Sequence, residues 1–430
     1  MTSDPSPPAA SRPSIRDTLR GNVAGLGLTS FFADVAGEMI YPLLPGFLTG
    51  VLGAGAGFLG LVEGVAESTA SLLKLAGGWL SDRLGSRKPL ASWGYGVAAV
   101  ARPLLALATA PWHVLAARAA DRAGKGVRTA PRDALLAGSV DPRRRGLAFG
   151  FHRAADNAGA VVGPLVAAGL MALWAGGYRR VFALAAIPGA LSVLAIARFT
   201  REIPPGGAAG APGAASDEER RRSPDGEETA PRPAPRLRPS LAAFGGPFRG
   251  YLAAVFVFTL GNASDAFLLL RAGQLGVATA AIPLLWSAFN LSKTVWNLPG
   301  GALSDRLGPR RSILAGWGLY VLVYAGFAAA KAEWHAWALF LVYGLFYGLT
   351  EAPERALVAS MAPEEMRSLA YGTFHFAVGV AALPASLLFG LLWDVFGSSV
   401  AFLTGAGLAL LASIALVLVP RREAGAHPAG

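Results

Sequence analysis

The sequence predicts an all-α polytopic membrane protein, with twelve transmembrane helices arranged as two pseudo-symmetric six-helix bundles. An apolar composition, the length of the apolar stretches and an internal repeat predict it. Of 430 residues, 53% are hydrophobic and only 15% charged, with a mean hydropathy of +0.45; a soluble domain averages about 25% charged. Apolar stretches recur from residue 22 to residue 419, each long enough for the roughly 20 residues that cross a hydrocarbon core as a helix. They outrun the ~10 residues of a barrel strand and do not alternate. Counted as apolar runs, they give about twelve spans.

The repeat divides these spans into halves. Gly77-Gly78-Trp79-Leu80-Ser81-Asp82-Arg83-Leu84-Gly85 returns as Gly300-Gly301-Ala302-Leu303-Ser304-Asp305-Arg306-Leu307-Gly308, a shift of 223 positions. Ala130-Pro131-Arg132-Asp133-Ala134-Leu135 returns as Ala352-Pro353-Glu354-Arg355-Ala356-Leu357, a shift of 222. Two matches at nearly one shift mark paired six-span units in the same orientation, the architecture of a carrier that rocks about a central site. Between them, Pro204 to Pro239 is rich in Pro, Gly, Ala and mixed charge and poor in apolar side chains, so it cannot bury enough surface to offset its ordering entropy. The expected organisation is a disordered cytoplasmic tail (1–20), a first bundle (21–199), a cytoplasmic linker (200–247), a second bundle (248–420) and a C-terminal tail (421–430). Met1 to Pro13 lacks the apolar core of a signal peptide.

The net charge of +11 is distributed by loop. Arg83, Arg87 and Lys88, Arg143 to Arg145, Arg306, Arg310 and Arg311, and Arg421 and Arg422 occupy alternate loops, while 49–57 and 397–399 carry almost no charge. This positive-inside pattern places both termini in the cytoplasm and the chain in the cell membrane, and argues against nucleic acid as partner. Arg179 and Arg180, in an expected outside loop, are exceptions. The absence of cysteine excludes disulfides, thiolate metal sites and Cys nucleophiles. The five His are dispersed; His113 and His335 sit beside Trp112 and Trp334 at an expected membrane boundary. No metal, cofactor or catalytic group is expected, and no Gly-x4-Gly-Lys-Ser/Thr loop supports an ATP-driven pump. Gly55-Ala-Gly57-Phe-Leu-Gly60 follows no strand, and the glycosylation patterns at Asn262 and Asn290 fall inside spans, so none of the three is read as a site.

The segment Gly78 to Lys88 between spans two and three, with Asp82, Arg83, Gly85 and Arg87, resembles the signature loop of the major facilitator superfamily. Its copy, with Gly301, Asp305, Arg306, Gly308 and Arg310, lies between spans eight and nine. The resemblance implies a gating role: Asp82 and Asp305 would face neighbouring helix N-termini and lock the outward-facing state. The alternative is topology alone, with the bases simply retained inside. Span five carries Gly150, Gly159, Gly163 and Pro164 in the spacing Gly-x8-Gly-x3-Gly-Pro, which resembles the superfamily's antiporter motif, although Ala167 and Ala168 replace its last glycine pair. Generic small-residue packing is the alternative.

Span four holds Arg118, Asp121, Lys125, Arg128 and Arg132 at spacings of three and four, one face of a helix. A charge at the bilayer centre costs at least about 2.5–3.5 kcal/mol, so this stripe must face protein or water. It is either a structural ion-pair network or part of transport. Arg118 resembles the superfamily's span-four Arg associated with proton coupling, with Asp121 and Arg122 replacing the usual Gln-Gly after it. Asp34 and Glu38 on span one, Glu63 and Glu67 on span two, and His152 and Asp156 on span five are the candidate partners. Asn262, Asp265 and Glu351 or Glu354 are the second half's contribution. Asp34, Glu38 and Lys125 are expected to be central, with Arg118 and Glu67 in proton coupling. Span ten, Thr350 to Leu357, has acids where span four has bases, so coupling chemistry is expected in the first half. The function expected is secondary active transport of a small organic solute, proton-coupled export by a monomer. The alternatives are uptake of an anionic metabolite and a receptor or scaffold that does not transport.

Overall fold

The computed structural model describes residues 19–84, 86–141, 144–174, 177–203, 244–362 and 366–420, without the side chains of Leu75, Asp82, Leu84, Leu298, Arg367 and Ser368. The tails, most of the expected linker, Gly85 and the Asp82 side chain therefore lie outside the described residues.

The described chain forms twelve helical units, as the apolar runs predict. The first half holds α1 (Asn22–Ile40, continued by short turns to Val51), α2 (Ala56–Leu84), α3 (Lys88–Leu104), α4 (Pro111–Gly138), α5 (Arg145–Leu173) and α6 (Tyr178–Leu184 with Ala186–Phe199). The second holds α7 (Gly246–Gly261 with Ala266–Gln274), α8 (Ile282–Leu307), α9 (Pro309–Ala329), α10 (Glu333–Met361), α11 (Arg367–Phe396) and α12 (Ser398–Leu418). Gly308 and Gly397 adopt φ of 84° and 85° at the tight reversals from α8 to α9 and from α11 to α12, a region open to Gly at little cost.

Eight units are long and apolar enough to cross a membrane by length and composition. The four that fall short are α2, α4, α8 and α10, two pairs related by the sequence repeat. Each of the four carries polar or charged residues along its length, among them Glu63 and Glu67, Arg118 and Lys125, Asn290 and Lys293, and Glu351 and Glu354. Elsewhere the outer surface is apolar, with Leu322, Val395, Leu410 and Ile414 exposed, as a lipid-facing surface requires.

Packing obeys the same symmetry. In the first half α1 packs on α5 and α6, α3 on α4 and α6, and α2 on α4; the second half repeats this as α7 on α11 and α12, α9 on α10 and α12, and α8 on α10. The halves meet through α2 with α11 and α5 with α8, again a symmetry-related pair. Close approach needs glycine: a Cβ on Gly77 would lie 2.6 Å from the Val127 carbonyl of α4, and one on the equivalent Gly300 would collide with Gly348 of α10.

The two cores differ in chemistry. The second half is aromatic: Trp317, Tyr320, Tyr324 and Tyr343 are fully buried, and Phe258 stacks on Trp317 at 4.5 Å. The first half buries Glu63, Arg102, Arg118, Asp121, Arg128 and His152.

The basic loops cap helix ends. Lys88 Nζ donates to the Ala197 carbonyl near the end of α6, and in the second copy of the loop Arg310, the repeat partner of Arg87, donates to Leu416, Val417 and Val419 at the end of α12. Cations at helix C-termini satisfy orphan carbonyls and the helix dipole. At the opposite face Arg179 donates to Ala106 beyond α3, and Arg271 to Phe327 and Ala330 at the end of α9. Capping thus accounts for Arg179 as an exception to the charge pattern.

Candidate functional site

The stripe on α4 divides. Arg118 reaches Glu63 of α2 at 2.7 Å and Asp121 at 3.6 Å. Asp121 also accepts from Arg102 Nε of α3 at 2.9 Å, and Arg102 Nη1 donates to the Ala33 carbonyl of α1 at 2.5 Å. The chain Glu63–Arg118–Asp121–Arg102 so joins four helices. Burying an ion costs several kcal/mol, which only close pairing with further hydrogen bonds offsets. Arg128 turns the other way and lies 4.1 Å over the Tyr95 ring, while Arg132 bonds Asp133 at 2.8 Å. Lys125 and Arg122 face a cleft between the halves.

That cleft has a volume of about 630 Å³. Glu63, Glu67, Arg122 and Lys125 line it from the first half, and Asn262, Asp265, Lys293, Glu351 and Glu354 from the second. Its roof forms where two broken helices meet. α1 loses α-helical geometry at Tyr41–Leu43, and α7 is interrupted between Gly261 and Ala266. Tyr41 Oη lies 3.2 Å from Ser264 Oγ, and these residues are themselves 223 positions apart, one repeat shift. Ser264 donates to Glu63 Oε2 at 3.1 Å, so one carboxylate is bonded by Arg118 in its own half and by the broken helix of the other. Interrupted helices beside a cavity free backbone and side-chain polar groups for ligands. Asp265, at the same break, accepts from Tyr343 Oη at 3.0 Å and Tyr347 Oη at 2.9 Å. Lys293 Nζ sits 5.1 Å over the Tyr347 ring.

Bonds between the halves run from the face opposite the basic loops to the middle of the helices. Asp394 of α11 accepts from Ala56 N at 2.8 Å and Gly57 N at 2.7 Å in α2. Ser68 Oγ donates to the Gly379 carbonyl at 2.9 Å, Ser287 Oγ to Val161 at 2.9 Å and Asn290 Nδ2 to Ala160 at 3.2 Å. Towards the basic face the halves are joined across the cleft by the half-exposed pair Arg153–Glu351 at 2.6 Å.

Of the residues expected in a cavity, Glu63, Glu67, Lys125, Asn262 and Asp265 line the cleft. Asp34 and Glu38, expected to be central, lie on α1 and are not among the residues lining the cleft: Glu38 accepts from Trp286 Nε1 of α8 at 2.6 Å, and Asp34 is in the field of Asp156, Lys125 and Arg128. His152 bonds Ser30 Oγ at 2.9 Å and lies 3.5 Å from Asp156. In span five, a Cβ on Gly159 would lie 2.6 Å from the Phe31 carbonyl, and one on Gly163 would lie 2.7 Å from that of Val35; one on Gly150 meets nothing within 4 Å. Gly159, Gly163 and the buried Pro164 form the α1–α5 contact, and Gly150 stands apart from it. In the loop motifs, Gly78 approaches Ala130, Gly301 meets nothing, Arg83 stacks over Trp79, and Asp305 and Arg306 are exposed.

Five contributors went unread in the sequence: Arg102, Lys293, Tyr41, Ser264 and Trp286. Arg102 and Lys293 carried a usable signal, being charges inside apolar spans. The other three are ordinary in composition and gain meaning only from the contact between halves.

Comparison with known proteins agrees with this architecture. A family model described as Major Facilitator Superfamily matches residues 26–271 and 250–430. The chain is 30% identical over 407 residues to an uncharacterized MFS-type transporter of Methanocaldococcus jannaschii, covering 93% of this chain and 95% of that one. It is 31% identical over 172 residues to a multidrug resistance protein of Photorhabdus laumondii, covering 39% and 42% of the two chains. A crystal structure of a nucleoside transporter mutant shares the fold with a TM-score of 0.74 at 14% identity, covering 93% of this chain and 100% of that one. With its paired six-helix halves, its central polar cleft and a family match across nearly its whole length, the chain belongs to the Major Facilitator Superfamily and is a membrane transporter, not an enzyme.

Proposed function

We propose that this transporter exports a small organic solute in exchange for protons, as a monomer in the cell membrane with both termini cytoplasmic. The observation that carries the reading is the cleft: it is lined by carboxylates and basic side chains, latched by Asp394 at the face away from the basic loops and, among the described residues, bridged by a half-exposed ion pair towards them. With the basic face cytoplasmic, this is the state that loads from inside. Alternating access then requires the bonds at Asp394, Ser68, Ser287 and Asn290 to break while the basic ends of the halves approach. Asp305, exposed here and without an ion pair among the described residues, is free to dock when they do.

Glu63 links chemistry to motion, because its carboxylate touches both the ion-pair chain and the α7 break. Neutralising Glu63 would cancel its attraction for Arg118 and weaken its acceptor oxygen towards Ser264, loosening the roof of the cleft. Uptake of an anion directly by the α4 stripe has less support, since Arg118, Arg128 and Arg132 are engaged within their own half. The relative named for multidrug resistance supports export.

Sealed proteoliposomes test this reading. Under an imposed pH gradient, a panel of amines, carboxylates and neutral solutes should include one whose movement is matched by counterflow of protons. Glu63→Gln should retain solute exchange and lose the proton dependence. If no solute and no protons move, or if Glu63→Gln leaves the proton dependence intact, the reading fails.

A further inference from the structure

We propose that a pocket on the face opposite the basic loops holds the headgroup phosphate of an anionic membrane lipid, with Arg179 and Arg180 as its ligands. The inference goes beyond the carrier reading and does not depend on the solute.

The pocket, about 420 Å³, lies between the end of α1 and the start of α6, lined by Phe47, Val51, Trp174, Tyr178 and the two arginines. Capping explains only one of these two departures from the charge pattern. Arg179 gives Nη1 to the Ala106 carbonyl at 2.7 Å, which leaves the other N–H groups of its guanidinium. Arg180 has neither a hydrogen bond nor an ion pair among the described residues. Each arginine is steadied by a ring. Arg179 lies 5.4 Å from the Phe47 centroid and Arg180 5.5 Å from that of Trp174, within the ~6 Å reach of a cation–π contact.

No acid of the surrounding helices neutralises them. Residues 39–62, 89–120 and 157–201, which supply the pocket and the segment that Arg179 caps, contain no Asp or Glu. Asp394, on the same face, is engaged by Ala56 and Gly57. Two adjacent bases on this face run against the charge pattern. Held beside a cavity with no acid to meet them, they call for an anion from outside the chain.

The rim says which anion. Leu173 and Val51 at the pocket, and Leu107 next to the capped carbonyl, are exposed apolar side chains, a surface for acyl chains. Trp174 and Tyr178 are of the amphipathic type that settles at headgroup level. A lipid can therefore lay its chains along the rim and turn its phosphate inward. Arginine's planar fork matches phosphate with two parallel bonds. A choline or ethanolamine headgroup would add an ammonium that finds no carboxylate here, so the pocket favours a net-negative headgroup such as that of phosphatidylglycerol.

The test is native mass spectrometry of the full chain in neutral detergent, titrated with dioleoyl phosphatidylglycerol, dioleoyl phosphatidylcholine or glycerol 1-phosphate. One phosphatidylglycerol should stay bound where phosphatidylcholine is lost. Arg180→Gln, which breaks no hydrogen bond or ion pair among the described residues, should weaken phosphatidylglycerol binding about fivefold, the scale of one base beside an anionic headgroup. Arg180→Lys should keep most of the affinity. Lys331→Gln removes an exposed base from the same face but outside the pocket, and should leave binding unchanged. Equal binding of the two lipids, no effect of Arg180→Gln, or equal effects of Arg180→Gln and Lys331→Gln would overturn the proposal. Displacement of the lipid by an equal concentration of glycerol 1-phosphate would assign the pocket to a soluble phosphate ester and refute a lipid as its occupant.

Discussion

Removing the Asp394 carboxylate should unlatch the face opposite the basic loops. In the described state Asp394 bonds two first-turn amides of α2, Ala56 N at 2.8 Å and Gly57 N at 2.7 Å, from the other half of the molecule. These amides have no partner within their own helix, and the positive end of the helix dipole favours an anion there. The fit is close: a Cβ on Gly55 or Gly57 would come within 2.8 or 2.9 Å of Asp394 Oδ2. Loss of such a cap costs about 0.5–2 kcal/mol. The contact joins the two halves and cannot survive their separation at this face. Asp394→Ala should therefore raise the population open at that face by about 2–30-fold. The chain has no cysteine, so a single Ser287→Cys on α8, buried against Val161 of α5, reports opening without background. A membrane-impermeant maleimide should label it correspondingly faster in the Asp394→Ala background. An unchanged or slower labelling rate in folded protein would show that Asp394 does not hold this face closed.

Three other outcomes follow from the packing. Arg102→Ala leaves Asp121 with only the longer contact to Arg118, and should lower stability by about 3–5 kcal/mol, read as a fall in melting temperature in detergent; a loss below about 1 kcal/mol would show that the buried network is not structural. Gly159→Val places a side chain against the Phe31 carbonyl and should impair folding or expression, whereas Gly150→Val should be tolerated, because nothing lies within 4 Å of a Cβ there; equal behaviour of the two would contradict the assigned α1–α5 contact. Arg310→Ala exposes three carbonyls at the end of α12 and should cost about 1–2 kcal/mol, with faster hydrogen exchange confined to the last turn of α12 as its signature.

The fold was legible because each of its signals is local or periodic. Apolar runs long enough to span a bilayer and a repeated loop at a fixed shift suffice for twelve helices in two halves. The four charged helices could be seen as odd, and the odd ones proved to be repeat partners. The site was legible only in part. The spacing of Arg118, Asp121, Lys125, Arg128 and Arg132 implies one helical face, yet that face is about a quarter of a helix circumference wide at ~100° per residue. Neighbours on either side of α4 divide it, with Arg128 drawn to Tyr95 and Lys125 left in the cleft. Ion-pair partners on other helices, such as Arg102 with Asp121, depend on packing that one sequence does not encode locally. The contact of Tyr41 with Ser264 was the most readable of the hidden features, since both lie at equivalent points of the two halves. What concealed it was their chemistry: neither is charged, and the break that brings them together has no proline within Gly261 to Ala266 to announce it.

The central claim is that two halves rock about the cleft, and paired distance measurements test it most directly. Spin labels on Ala137 of α4 and Ser360 of α10 report the basic face, and labels on Thr49 of α1 and Gln274 of α7 report the opposite face. In reconstituted protein, imposing the transport conditions should shorten the first distance and lengthen the second within one population of molecules. Distances that stay fixed at both faces, or that change together in the same direction, would contradict it.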